Sequence, residues 1–222
     1  MEYVQINNIQ NPLFRQLHNL MKEIFPAEEV LAFELWKEPL EDPSIRVFVA
    51  VHKEEVVGAT EYRYYPNMNV AMTDFTIIKR EGLGIGRFLA ANREADLKQL
   101  ADQSGTQILG MFAEIYDPYR AKDYSFGGNK VMDPFVRREV LSHLGYRRLN
   151  FPYVHPSWEN NGEAVQQLDL CFLPYKEING LEGKFIAQFL QIYYQVLSNK
   201  PEKWLQMIKQ LNETAEISLV EL

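Results

Sequence analysis

The chain has 222 residues, 46% hydrophobic and 24% charged, which supports one good core or a core plus a small appendage and excludes disorder as the main state. A formal net charge of −7 with no basic block argues against a nucleic-acid partner. No stretch approaches the roughly 18 apolar residues of a membrane span, and "MEYVQINNIQ" lacks the basic, apolar start of a secretory leader, so a cytoplasmic protein with no membrane partner is expected.

In chain order, "YVQI" at 3–6 reads as a first strand, and Asn11 with Pro12 opens a helix. Leu13, Phe14, Leu17, Leu20, Met21, Ile24 and Phe25 recur at three- and four-residue spacing until Pro26. A shorter helix is expected over "EEVLAFELWKE", 28–38. "IRVFVAVHKEEVVGATEYRYYP" holds two strands around the polar "HKEE", and "NMN" separates the second from "VAMTDFTIIK", giving three consecutive antiparallel strands. A glycine-rich turn, a helix over about 86–102 and a buried strand "QILGMFAEIY" follow.

The polar stretch 117–133 is long for a connection, and such loops are often functional. Asp133 and Pro134 open a helix with Val136, Val140 and Leu144 on one stripe, closed by Gly145. "YRRLNFPYV" and "AVQQLDLCFL" read as a strand pair around "HPSWENNGE", with Cys171 as a small buried residue. The single cysteine leaves no disulfide, and four histidines scattered at 18, 52, 143 and 155 carry no HExxH pairing, so no metal is expected. In the tail, Phe185, Phe189, Tyr193 and Val196 share a face beside Ile186, Leu190 and Leu197, and Pro201 starts an amphipathic helix with Trp204, Met207, Ile208 and Leu211. Packing on the same chain is the default for these two helices, with a homodimer contact or a lid as alternatives.

"EGLGIGRFLA", 81–90, carries Gly82, Gly84 and Gly86 between a strand and a helix. Such a turn lets backbone N–H groups close around phosphate oxygens at the positive end of the helix dipole. No Lys-Ser or Lys-Thr follows Gly86, which disfavours a P-loop. Three antiparallel strands before the turn, and G-x-G-x-G in place of G-x-G-x-x-G, disfavour a dinucleotide fold.

The order of elements and "REGLGIGRFLA" resemble the GNAT acyl-CoA N-acyltransferase superfamily, whose pyrophosphate loop reads Q/R-x-x-G-x-G/A. "VLSHLGYRRL" is similar to its second signature, a helix ending in Leu-Gly-Phe/Tyr before a strand. The resemblance covers residues 1–175 and leaves 176–222 as a C-terminal helical extension. It implies an α/β fold with a mixed, mainly antiparallel sheet of about six or seven strands and helices on both faces.

It implies acetyl-CoA as donor substrate, Gly82, Leu83, Gly84, Ile85, Gly86 and Arg87 around its pyrophosphate, and the backbone of Thr76, Ile77 and Ile78 along its pantetheine. Glu81 departs from the pattern, with Lys79, Arg80 and Arg87 as compensating cations. Leu141 stands where many members carry the tyrosine that protonates the departing thiolate.

Acyl transfer to a small-molecule amine needs a proton acceptor and an acid for the leaving thiolate. On "MFAEIYDP", Glu114 and Tyr116 share one strand face. Glu114 is the candidate base, a structural carboxylate being its alternative, and Tyr116 the candidate acid. "EYRYYP" offers Glu61, Tyr62 and Tyr64 toward the acceptor, with Asp74 as a third acidic candidate and Tyr119, Tyr124, Gly127 and Gly128 as a cover from the long loop. The alternative class is a non-catalytic acyl-CoA binding module, favoured by Leu141; a nucleotide-binding domain is the third.

Overall fold

A computed structural model describes residues 1–25, 30–80, 82–120 and 134–222. Its first strand, β1 (Glu2–Ile6), pairs antiparallel with β2 (Ile45–His52), Glu2 opposite Val51 and Ile6 opposite Val47. Between them runs α1 (Pro12–Ile24), capped by the Asn11 side chain, which accepts from the Leu13 N–H at 3.0 Å. Its inner stripe of Phe14, Leu17, Leu20 and Met21 is buried, each such side chain contributing about 1.5–3 kcal/mol.

The second expected helix is displaced. Val30–Ala32 are not helical; a 3-10 turn, Phe33–Trp36, leads into α2 (Lys37–Glu41). Tertiary contacts outweigh local propensity here. Phe33 and Trp36 pack on Phe14 at 5.1 and 5.9 Å, and the Leu31 carbonyl lies 2.9 Å from His18 Nε2. His18 is thus a satisfied core histidine.

β3 (Glu55–Tyr65) follows β2 through a two-residue turn, Lys53 and Glu54, both at positive φ, and β4 (Val70–Ile78) follows β3. Both pairings are antiparallel. On one face Val47, Val49, Ala59 and Ile77 pack with α1 and α2; on the other, Ala50, Val57 and Ile78 pack with α3 (Ile85–Gln103). Gly58 permits this approach, since a Cβ there would stand 2.5 Å from Ile85 Cγ2. These elements form a compact unit, 1–111.

A second unit comprises 112–120 and 134–222. β5 (Gly110–Tyr116) enters it at Phe112, so "QILGMFAEIY" becomes a strand only from Gly110. Its sheet runs β5, β9 (Leu168–Pro174), β6 (Arg147–Leu149), β11 (Glu216–Val220) and β10 (Gly180–Glu182). The expected strand pair is realised as β6 on β9, antiparallel, while the turn-rich stretch forms its own hairpin, β7 (His155–Pro156) with β8 (Ala164–Val165).

The helices α4 (Pro134–His143), α5 (Gly183–Tyr193) and α6 (Glu202–Glu213) complete the unit. The α6 stripe is buried as read, but Val196 is exposed, because α5 ends at Tyr193 and its periodicity no longer applies. Strands β10 and β11 lie in the tail where helices alone were expected, and β11 is hydrogen-bonded between β6 and β10. No helix among the described residues is long and apolar enough to cross a membrane.

Candidate functional site

In the first unit, β4 leads through Gly82, Leu83 and Gly84 into α3. Gly82 and Gly84 adopt φ of 80° and 67°, a region that costs an L side chain about 1–2 kcal/mol. Gly84 caps α3 with no side-chain hydrogen bond, and the first turn carries no acidic residue. The first N–H to return to the helix ladder is Phe88, bonded to the Gly84 carbonyl at 3.0 Å. The N–H groups of Ile85, Gly86 and Arg87 therefore precede the ladder at the positive end of a 19-residue dipole. Ile85 is buried as an anchor, whereas Leu83, Gly84 and Arg87 are exposed. An anion with several oxygens fits this terminus.

Two of the cations counted as compensating Glu81 are engaged elsewhere. Glu55 accepts from Lys79 Nζ at 2.9 Å and Arg80 Nη2 at 2.6 Å, and these bonds hold its carboxyl below the ordinary value, Lys79 foremost. Glu81 itself lies outside the described residues.

Along β4, Ile77 faces the α1 core, while Thr76 faces α3. Arg93 of α3, almost fully buried, donates to the hydroxyls of Thr60 and Thr76 at 3.0 Å each. The β3–β4 register shifts between Glu61 and Tyr62, leaving Asp74 as the extra residue of a bulge; Thr73 Oγ1 donates across it to the Glu61 carbonyl at 2.9 Å.

The acceptor-side candidates fall on both faces of β3. Tyr62 is fully buried, its hydroxyl donating 2.6 Å to Asp96 Oδ2, the same carboxylate that Arg46 grips with two nitrogens. Tyr64 is buried, and its hydroxyl has no hydrogen-bond partner among the described residues. Glu61 is buried too; burial first, then the charge of Asp74, pushes its carboxyl well above the ordinary range. Tyr124, Gly127 and Gly128 lie outside the described residues.

In the second unit, β5 places Phe112, Glu114 and Tyr116 on one face by strand alternation. Phe112 stacks on Phe189 of α5 at 4.0 Å. Glu114 keeps 13% of its side chain exposed and is ringed by groups that sequence reading did not select. The hydroxyls of Tyr153 and Tyr194 both donate to its Oε1 and stand 2.8 Å from each other. Burial first, then the Glu114 charge, pushes both phenols well above their ordinary value, so they remain donors.

His155 Nε2 stands 3.6 Å from Glu114 Oε2, and its buried Nδ1 has no hydrogen-bond partner among the described residues. A proton on Nδ1 would be an unmet donor, so the tautomer inferred from these surroundings carries its proton on Nε2, toward the carboxylate. Tyr116 is half-buried two residues along the same face. A carboxylate so placed in an apolar strand needs donors. That demand was the available signal for Tyr153, His155 and Tyr194.

No protein-family model matches the sequence, and no curated protein does. Solved structures do. A GNAT-family acetyltransferase from Bacteroides thetaiotaomicron, itself described as putative, is 12% identical over 90% of this chain and 100% of its own, with a TM-score of 0.60. An aminoglycoside 6'-N-acetyltransferase complexed with coenzyme A is 17% identical over 80% of this chain and 100% of its own, with a TM-score of 0.54. A spermidine N-acetyltransferase chimera from Vibrio cholerae and hSSAT is 15% identical over 78% and 96%, with a TM-score of 0.52. At these identities the likeness is one of architecture, and by it the chain has the fold of the GNAT acetyltransferases.

Proposed function

We propose that the chain is an acyl-CoA dependent N-acyltransferase that moves an acetyl group from acetyl-CoA to a primary amine by direct transfer. The observation that carries this reading is the start of α3: left-handed Gly82 and Gly84, no side-chain cap and no acid in the first turn, on a fold shared with acetyltransferases, one of them complexed with coenzyme A. Gly82 to Arg87 hold the pyrophosphate through backbone N–H groups and the Arg87 side chain. The backbone of Thr76 to Ile78 lies along the pantetheine. The bound donor supplies a thioester carbon open to attack.

Glu114 takes the proton that the amine nitrogen loses as the C–N bond forms, and Tyr116 returns one to sulfur as the C–S bond breaks. Glu61, Tyr62, Tyr64 and Tyr124 are the residues assigned to the acceptor, Tyr62 being held by its bond to Asp96. Solved relatives of the fold act on amines, an aminoglycoside and spermidine among them.

Leu141, half-buried on α4 where the resembling family's tyrosine would stand, favours a second reading, a module that binds acyl-CoA without turnover. One experiment separates them: thermal shift against acetyl-CoA, NAD and ATP, followed by thiol release from acetyl-CoA with a panel of primary amines. Stabilisation by acetyl-CoA alone and amine-dependent release are expected. Stabilisation without release assigns the module, and no shift with acetyl-CoA overturns both readings.

A further inference from the structure

Of three tryptophans, Trp36 and Trp204 are buried at 8% and 2%, whereas Trp158 is 50% exposed. It is nonetheless fixed. His155, Tyr193 and Tyr194 hold its ring at 5.9, 5.6 and 5.2 Å, Tyr193 edge-on at 89°. Tyr193 stacks on Phe189 and Phe189 on Phe112, a ladder rooted in β5. The turn carrying Trp158 is tied down as well: Asn160 donates to Ser198 Oγ at 3.0 Å and accepts from the Asn199 N–H at 2.7 Å. A large indole held rigid with half its surface in water is arranged to meet something.

The chemistry beside it says what. One ring inward from Trp158, through His155 on one side and Tyr194 on the other, stands the Glu114 carboxylate, whose side chain is 13% exposed. An aromatic wall alone would take any apolar group; a wall with a fixed negative charge behind it favours a cation. The same cluster already holds one, since Lys200 Nζ lies 5.5 Å over the ring of Trp204, itself 6.3 Å from Tyr194. The net charge of −7 draws cations from further out.

We propose that Trp158, Tyr193, His155 and Glu114 form the acceptor subsite and that it takes a primary alkylammonium group, so that alkylamines, cationic at neutral pH, are acceptors and arylamines, neutral there, are not. The proposal rests on Glu114 as the group that takes the proton lost as the C–N bond forms. The indole face holds the ammonium, the Glu114 charge one ring behind it favours the cation over a neutral group, and the ammonium gives its first proton to water before attack.

The test needs neither acyl-CoA nor turnover. Calorimetric titration of the full chain compares hexylammonium chloride with hexan-1-ol, equal in length and lacking the charge. Binding of the ammonium at least about tenfold tighter than the alcohol is expected, weakened about 3- to 30-fold in Trp158→Leu and less in Trp158→Phe. Trp158→Leu should lower the melting temperature by about 2–4 °C, since half of the indole packs on three rings, and Trp158→Phe by less, so binding is compared at a temperature where all three proteins are folded. Equal binding of the two ligands marks a merely apolar patch and overturns the proposal, as does an ammonium affinity indifferent to Trp158→Leu. Ammonium binding without thiol release leaves the subsite and removes the transferase; alkylamine turnover with a KM unmoved by Trp158→Leu leaves the transferase and removes the subsite.

Discussion

Tyr194→Phe isolates the hydroxyl that Glu114 depends on. The ring contacts of Tyr194 with His155, Trp158 and Trp204 survive in phenylalanine, so the substitution deletes the hydroxyl alone, with its bond to Glu114 Oε1 and its 2.8 Å contact with the Tyr153 hydroxyl. A hydrogen bond to a charged acceptor contributes about 1.5–3 kcal/mol. Tyr153 shares the same oxygen, so the single variant leaves one phenol in place, and Tyr153→Phe with Tyr194→Phe should cost more than the two singles summed. Urea unfolding read through tryptophan fluorescence reports this, because Trp158 and Trp204 both belong to the second unit.

The decisive arm repeats Tyr194→Phe in a Glu114→Gln background. There the acceptor is neutral and the loss should fall by about 1 kcal/mol. The pH dependence has a definite sign. Burial and the Glu114 charge raise both phenols, so their contribution is complete below the free tyrosine value of about 10 and declines only as the pH climbs toward the raised value. The cost of Tyr194→Phe should therefore be flat from roughly pH 6 to 9. An equal cost in both backgrounds, within about 0.3 kcal/mol, would refute the assignment of these phenols to Glu114.

Two further predictions follow from the first unit. Glu61 is raised by burial and by Asp74, so its protonated form is favoured in the fold and its stabilising contribution is lost as the pH rises through its raised value. Glu61→Gln should match wild type near pH 4 and gain stability over it by pH 8, a melting-temperature difference that grows with pH; a difference independent of pH would contradict the raised carboxyl. Glu55→Gln should free Lys79 and Arg80 from their ion pairs. Coenzyme A affinity is then expected to rise about two- to fivefold at low salt, the gain vanishing near 0.5 M salt, and an unchanged calorimetric Kd would place those cations out of reach of the phosphates.

What the sequence made legible was what local rules specify. The caps and stripes of α1 and α6 depend on neighbours within two turns, and they appear where Asn11 and Pro201 announce them. The loop before α3 announces itself because left-handed φ at Gly82 and Gly84 is a requirement that glycine meets at least cost. The stretch before α2 misled because the Leu31 carbonyl lies against His18, in another element, instead of continuing a helix. Residues 180–182 and 216–220 misled in the opposite sense: both are short, and their partners are distant in sequence, each other and, for 216–220, also β6.

The Glu114 group lies at the boundary between these cases. Strand alternation put Glu114 and Tyr116 on one face, and an acid inside "MFAEIYD" announces a demand for donors, since a buried carboxylate left unmet would cost several kcal/mol (roughly 3–5). The donors stand 39 and 80 residues away, at Tyr153 and Tyr194. Tyr194 is also the neighbour of a residue that fits the α5 stripe better, Tyr193, and it turns inward only because the helix has ended. The demand could be read in one dimension and its answer could not. Among the described residues the hydroxyls that meet it are phenols, and a phenol donates a hydrogen bond while adding no charge of its own.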